Sequence, residues 1–129
     1  MITQSDQLEV VYDMCRGYGV EVYMPKTFPD DGVMMERIVI LGGRIIDGSI
    51  WDRSPIRVNW CVPDINGEPD LVRLKEVEHI MRRDFRRGGG QIDGEPYRFQ
   101  RESMETVTDE GLKVHYVNVT LQFGTLNTN

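Results

Sequence analysis

Asp70-Leu71-Val72-Arg73-Leu74-Lys75-Glu76-Val77-Glu78-His79-Ile80-Met81-Arg82-Arg83-Asp84-Phe85-Arg86-Arg87 is the one long helix signal in a chain whose other patterned runs mostly alternate as strands do. Leu71, Leu74, Val77, Met81 and Phe85 recur every three or four residues and make a stripe suited to burial, with Ile80 beside it. Pro69-Asp70 opens the run and Gly88-Gly89-Gly90 closes it. At 1.5 Å per residue the run spans about 27 Å, enough to cover a four-stranded sheet.

On the N-terminal side of that helix, Ile56, Val58, Trp60 and Val62 alternate with Arg57, Asn59 and Cys61, so Pro55 to Val62 is a half-buried antiparallel strand. Glu36 to Ile46 is a second β-rich run, with Gly42-Gly43 marking a bulge or bend. Val20 to Tyr23 is a short strand signal, followed by a loop with Pro25, Pro29 and Asp31-Gly32. Leu8, Val11, Tyr12 and Cys15 share one face of a helix over residues 5–16, with Ser5 or Asp6 as its cap and Gly17 after its end. On the C-terminal side, Asp93-Gly94 marks a turn. Tyr97 to Val107 and Leu112 to Phe123 are the arms of a hairpin joined at Thr108 to Gly111. The second arm changes parity, which predicts a bulge near Tyr116-Val117. The expected fold is therefore α+β: a twisted antiparallel sheet of about four to six strands, one long helix packed on a face, and a short N-terminal helix. The expected domain is single, residues 1–129, with a polar tail fraying at 126–129.

With 40% hydrophobic and 28% charged residues, the composition is that of a folded globular domain. No apolar run approaches the length needed to cross a bilayer, and the first residues lack the basic and apolar regions of a secretory leader. The net charge of −6 argues against a general nucleic-acid binder, which needs a basic surface to release counterions. Charge is unevenly spread: −5 over residues 1–69, +2 over 70–87 and −3 over 88–129, so the helix is the basic element of an acidic body. Cys15 and Cys61 fall in buried-looking patterns and are expected to be reduced and structural.

The residues offer no catalytic constellation. His79 and His115 have no ligand at metal-binding spacing and are expected to be surface or edge histidines. There is no nucleophile elbow, and the acid pairs Asp30-Asp31 and Glu102/Glu105 are expected to be solvated. Gly88-Gly89-Gly90 follows a helix instead of preceding one, and Gly42-Gly43 is not followed by Lys-Ser/Thr, so neither is a phosphate cradle. Asn118-Val119-Thr120 is a formal glycosylation sequon without a secretory route. Arg82, Arg83, Arg86 and Arg87 either complement the helix dipole or form a docking patch for an acidic neighbour. Trp51 is a candidate interface anchor, with core packing as the other reading. The candidate subunit-interface residues are accordingly Trp51, Arg82, Arg83, Arg86 and Arg87, with no catalytic, cofactor or metal residues.

The matching stretches for a family resemblance are Met35-Glu36-Arg37-Ile38-Val39-Ile40-Leu41-Gly42, Ser54-Pro55-Ile56-Arg57-Val58-Asn59-Trp60-Cys61-Val62, the helix Leu71 to Phe85, and the closing hairpin Tyr97 to Phe123. In their order they resemble the tail completion or tail terminator (head–tail joining) proteins of long-tailed bacteriophages and prophages. The loop from Pro25 to Met34 departs from the family pattern, with no Leu-Pro-Tyr type signature. The resemblance implies a non-catalytic structural protein without cofactor that forms a homo-oligomer, commonly a hexameric ring. It would close the head-proximal end of a phage tail and contact tail-tube and head-connector proteins. It would reside in the virion tail or in the cytoplasm of a bacterial host, with no membrane and no specific nucleic-acid binding. The alternative is a small intracellular α+β ligand-binding or regulatory module. A third is an enzyme subunit whose site forms only between chains, for which the sequence offers no residues.

Overall fold

The computed structural model describes residues 1–24, 35–111 and 113–127. The loop expected over 25–34, with its Asp30-Asp31 pair, lies outside the described residues, as do Leu112 and residues 128–129 of the tail. The elements are α1 (Gln4–Cys15), a 3₁₀ turn (Arg16–Tyr18), β1 (Glu21–Tyr23), β2 (Arg37–Gly42), β3 (Trp51–Pro63), α2 (Leu71–Asp84), β4 (Arg87–Ile92), β5 (Glu95–Asp109) and β6 (Val114–Leu126). The α+β class holds, and the six strands form one sheet in the order β1-β2-β3-β6-β5-β4.

The sheet is mixed and not wholly antiparallel, because β1 runs parallel to β2. A parallel neighbour needs a crossover of about a dozen residues, and residues 24–36 supply that length. The helices are also nearly equal, with 12 residues in α1 and 14 in α2. The expected long helix stops at Asp84, and Gly88-Gly89-Gly90 does not terminate it: these glycines lie in the edge strand β4, paired with β5. The physical reason is space. A Cβ on Gly88 would lie 2.5 Å from the Phe99 ring, and one on Gly90 would lie 2.8 Å from the Tyr97 hydroxyl. The aromatic rings of β5 fill the room that side chains on β4 would need.

Both helices pack on one face. Even residues of β3 (Ile56, Val58, Trp60, Val62) and odd residues of β6 (Val117, Val119, Leu121, Phe123) join Ile38 and Ile40 of β2 in the core. Leu8, Val11 and Cys15 of α1 and Leu74, Val77 and Met81 of α2, with Phe85 just beyond α2, close it from above. Each such buried side chain contributes roughly 1.5–3 kcal/mol of burial. Leu71, expected in the stripe, is 71% exposed, and Ile80 is only half-buried.

Local details follow the same logic. The N-cap of α1 is Thr3, two residues before Ser5 and three before Asp6: it forms a capping box with Asp6, and Gly19 instead of Gly17 takes the left-handed position (φ 77°). Pro55 sits inside β3 but just past the end of β2, where its missing N–H costs little. Its carbonyl accepts from the Gly43 amide at 2.8 Å, and the Gly43 carbonyl is instead capped by the Gln4 side-chain amide. The β5–β6 bulge falls at Arg101/Ser103, not at Tyr116-Val117. No bulge is needed in β6, because Val114 and Tyr116 are themselves buried or half-buried on the face away from the helices. The Asp93-Gly94 turn forms as expected, with φ of 50° and 82°. Cys15 and Cys61 are free and buried, and burial pushes their thiols up to about 12 and about 11, which suppresses the reactive thiolate.

Candidate functional site

Odd residues of β3 and even residues of β6 point to the face opposite α1 and α2. Near one end of that face, Trp51 begins β3 opposite Leu126, and Arg98 of β5 lies opposite Gly124 of β6. The Arg98 guanidinium sits 3.9 Å from the centre of the Trp51 ring. Such a cation–π contact at an exposed site is worth about 0.5–1 kcal/mol. Gly124, without a side chain, forms the floor beneath the two.

Around this pair opens a groove of about 790 Å³. Arg53 (β3), Arg87 (β4) and Arg98 line it, with Gln100, Gln122 and the bulge residue Glu102. Arg53, Arg87 and Arg98 are exposed, and none forms an ion pair among the described residues. With Arg101 also in the lining, four arginines against one carboxylate make the groove positive on a chain whose net charge is −6. Its rim is apolar. Ile46 bridges to Arg53, Ile50 accepts from the Asn127 amide at 2.8 Å, and both are exposed, as is Leu126. The groove is thus built to hold an anionic group beside apolar surface.

The structure brings Trp51 and Arg87 together in this groove and leaves Arg82, Arg83 and Arg86 outside its lining. Arg83 is tied to Asp84 at 2.7 Å. The carbonyls of Arg82 and Arg86 accept from the Arg101 guanidinium (2.9 Å) and the Arg101 amide (2.8 Å). Arg53 and Arg98 escaped the sequence reading. Arg98 fell in an expected strand, but Arg53 lay before the strand expected over Pro55 to Val62, which the structure extends back to Trp51; the approach of both to Trp51 depends on the register across β3, β6 and β5.

Other polar clusters are internally satisfied. Glu36 accepts from Trp60 Nε1 at 3.1 Å and from Arg73 Nε and Nη2 at 2.5 and 3.0 Å. Tyr18 donates to Asp84 at 2.7 Å, and burial, reinforced by Asp84, pushes its phenol up. His115 lies in an inner strand, half-buried against Asp64 at 2.9 Å, and His79 is exposed on α2. Among the described residues no group of three or more His, Cys, Asp or Glu could hold a metal ion, and no helix is long and apolar enough to cross a membrane.

These networks set an acid limit on stability. Burial works to raise the Glu36 carboxyl, but hydrogen bonds from Arg73 and Trp60 outweigh it and hold it below 4.5. Arg83, aided by Tyr18, holds Asp84 below 3.8. A depressed folded value means the stabilisation is present above the unfolded value and is lost as pH falls through the folded one. Thermal midpoints are therefore expected to hold steady from neutral pH until the ordinary Glu and Asp values are reached, and to drop below them. In Glu36→Gln the midpoint at pH 7 should be lower and the acid drop shallower; a thermal melt series read by circular dichroism checks both.

A comparison with protein-family models finds no match for this chain, and a comparison with curated proteins finds none either.

Proposed function

We propose that this chain is a non-catalytic assembly protein of the tail completion or head–tail joining type, acting as a ring of identical subunits in a phage or prophage tail. The order of elements supports the reading through the resemblance of their layout. The observation that carries it is the placement of exposed apolar side chains. Ile46, Ile50 and Leu126 gather at the Trp51 end of the sheet; Ile65, Leu71 and Val72 lie beyond Pro63 at the other end. Exposed apolar residues on a solvated monomer scatter singly, whereas clusters rimmed by charge mark contact surfaces. Under this reading the partners are other copies, tail-tube and head-connector proteins, and the acidic body lets DNA pass without gripping it. The site of action is the virion tail, or the cytoplasm of an infected or lysogenic bacterium during assembly. Electron micrographs of the purified protein are expected to show closed rings of uniform diameter. Fields of single small particles at high protein concentration would count against it.

The groove favours one other reading, a module that binds a small acidic ligand. Its volume lies within the range of ligand clefts, and its arginines, glutamines and indole converge. That reading requires millimolar citrate or pyrophosphate to raise the thermal midpoint of the wild type and not of Arg53→Ala/Arg98→Ala.

A further inference from the structure

The connection between β3 and α2 is a rigid finger. Ile65 and Glu68 exchange both backbone hydrogen bonds, at 2.8 and 3.0 Å, around Asn66 (φ 52°) and Gly67 (φ 78°). That is the geometry of a two-residue hairpin turn. Its base is held by the Asp64 amide, which donates to the Lys113 carbonyl at 3.2 Å, and by the Asp64–His115 pair. The tip presents Ile65, 56% exposed, and Glu68, also exposed. Leu71 and Val72, 71% and 74% exposed, follow beside Asp70. The finger therefore combines apolar surface with Glu68 and Asp70, while the groove combines apolar surface with Arg53, Arg87 and Arg98.

We propose that the finger of one copy docks in the Trp51–Arg98 groove of the next, head to tail. This rests on the assembly reading and names its contact. Complementary charge is the first argument: copies that each carry −6 repel at long range, and a basic groove facing an acidic finger reverses that locally and sets the orientation. Shape is the second. A preformed finger loses little freedom on docking, and the indole of Trp51 is the kind of aromatic anchor that dominates contact energy. Position is the third. Groove and finger lie at opposite ends of β3, whose 13 residues extend about 40 Å, so the two surfaces are distinct. A contact between distinct surfaces leaves a free groove at one end of every pair and a free finger at the other. Repeated, it closes into a ring or runs on as a filament.

Two surface variants test this together. Arg53→Glu/Arg98→Glu keeps the finger and loses the groove; Ile65→Ser/Glu68→Ser keeps the groove and loses the finger without offering the reversed groove a cation. Circular dichroism confirms that each is folded, and light scattering after size exclusion reads the mass. Each variant alone is expected to stay at the 14.9 kDa of one chain at concentrations where the wild type assembles. Their equimolar mixture is expected to form a 1:1 pair of twice that mass and nothing larger, because only one competent contact remains. If both variants assemble as the wild type does, the contact is wrong and the assembly reading survives. If both are monomeric and the mixture does not pair, the finger does not enter the groove. A wild type that stays monomeric throughout overturns the contact and the assembly reading together.

Discussion

Trp60→Ala is expected to destabilise the protein by about 3–5 kcal/mol, the range found when a fully buried large aromatic is truncated. Trp60 has no exposed surface and sits mid-strand in β3, between Ile38 of β2 and Val117 of β6. The Tyr18 ring packs against it with centres 5.0 Å apart, and the Arg73 guanidinium lies 5.7 Å from its centre. Its Nε1 donates to Glu36, the carboxylate that also receives Arg73. Truncation therefore opens a cavity and removes one partner from a half-buried ion pair. Trp60→Phe keeps most of the volume and loses the hydrogen bond and one ring, so it should recover much of the loss. Urea midpoints with an unchanged slope measure both. A loss below about 1 kcal/mol for the alanine variant would mean that the core is not organised around this indole.

Gly48→Ala is the second large effect, and it acts through the backbone. A Cβ at position 48 would lie 2.0 Å from the Trp51 carbonyl oxygen, an atom that cannot swing aside as a side chain can. The loop from Gly43 to Ile50 would have to move. It is held where it is by the Gly48 amide donating to Asp52 (3.0 Å) and by Asn127 donating to the Gly48 carbonyl (2.6 Å). Overpacking of this kind costs about 1–3 kcal/mol. The shift also disturbs Trp51 and Ile50, so the proposed assembly should weaken at temperatures where the variant is still folded. Thermal melts and sedimentation of the same sample separate the two effects; an unchanged midpoint would contradict the tight approach at Gly48.

How much of this was legible in the sequence depends on how local each signal is. The alternation Ile56-Val58-Trp60-Val62 gave the buried face of β3, and Leu74, Val77, Met81 and Phe85 gave that of α2, because each pattern repeats within a few residues. Asp93-Gly94 named its own turn. Gly88-Gly89-Gly90 misled, since glycine after a helix ordinarily stops it. Only the cross-strand rings of Phe99 and Tyr97 explain why glycines make a strand there. The parity change in β6 was visible, but a bulge and a second half-buried face produce the same pattern, and the bulge lies across the ladder at Arg101/Ser103. The groove was legible only in its Trp51 and Arg87. Arg98 reaches Trp51 across β6, through a pairing that joins residues far apart in the chain, and nothing near Arg98 announces it.

The proposed assembly joins identical copies through two distinct surfaces. Mass by light scattering after size exclusion, followed from low to high protein concentration, tests it most directly. The expected result is a single discrete multiple of the 14.9 kDa chain, about six copies for a closed ring. A mass of 14.9 kDa at every concentration would contradict it.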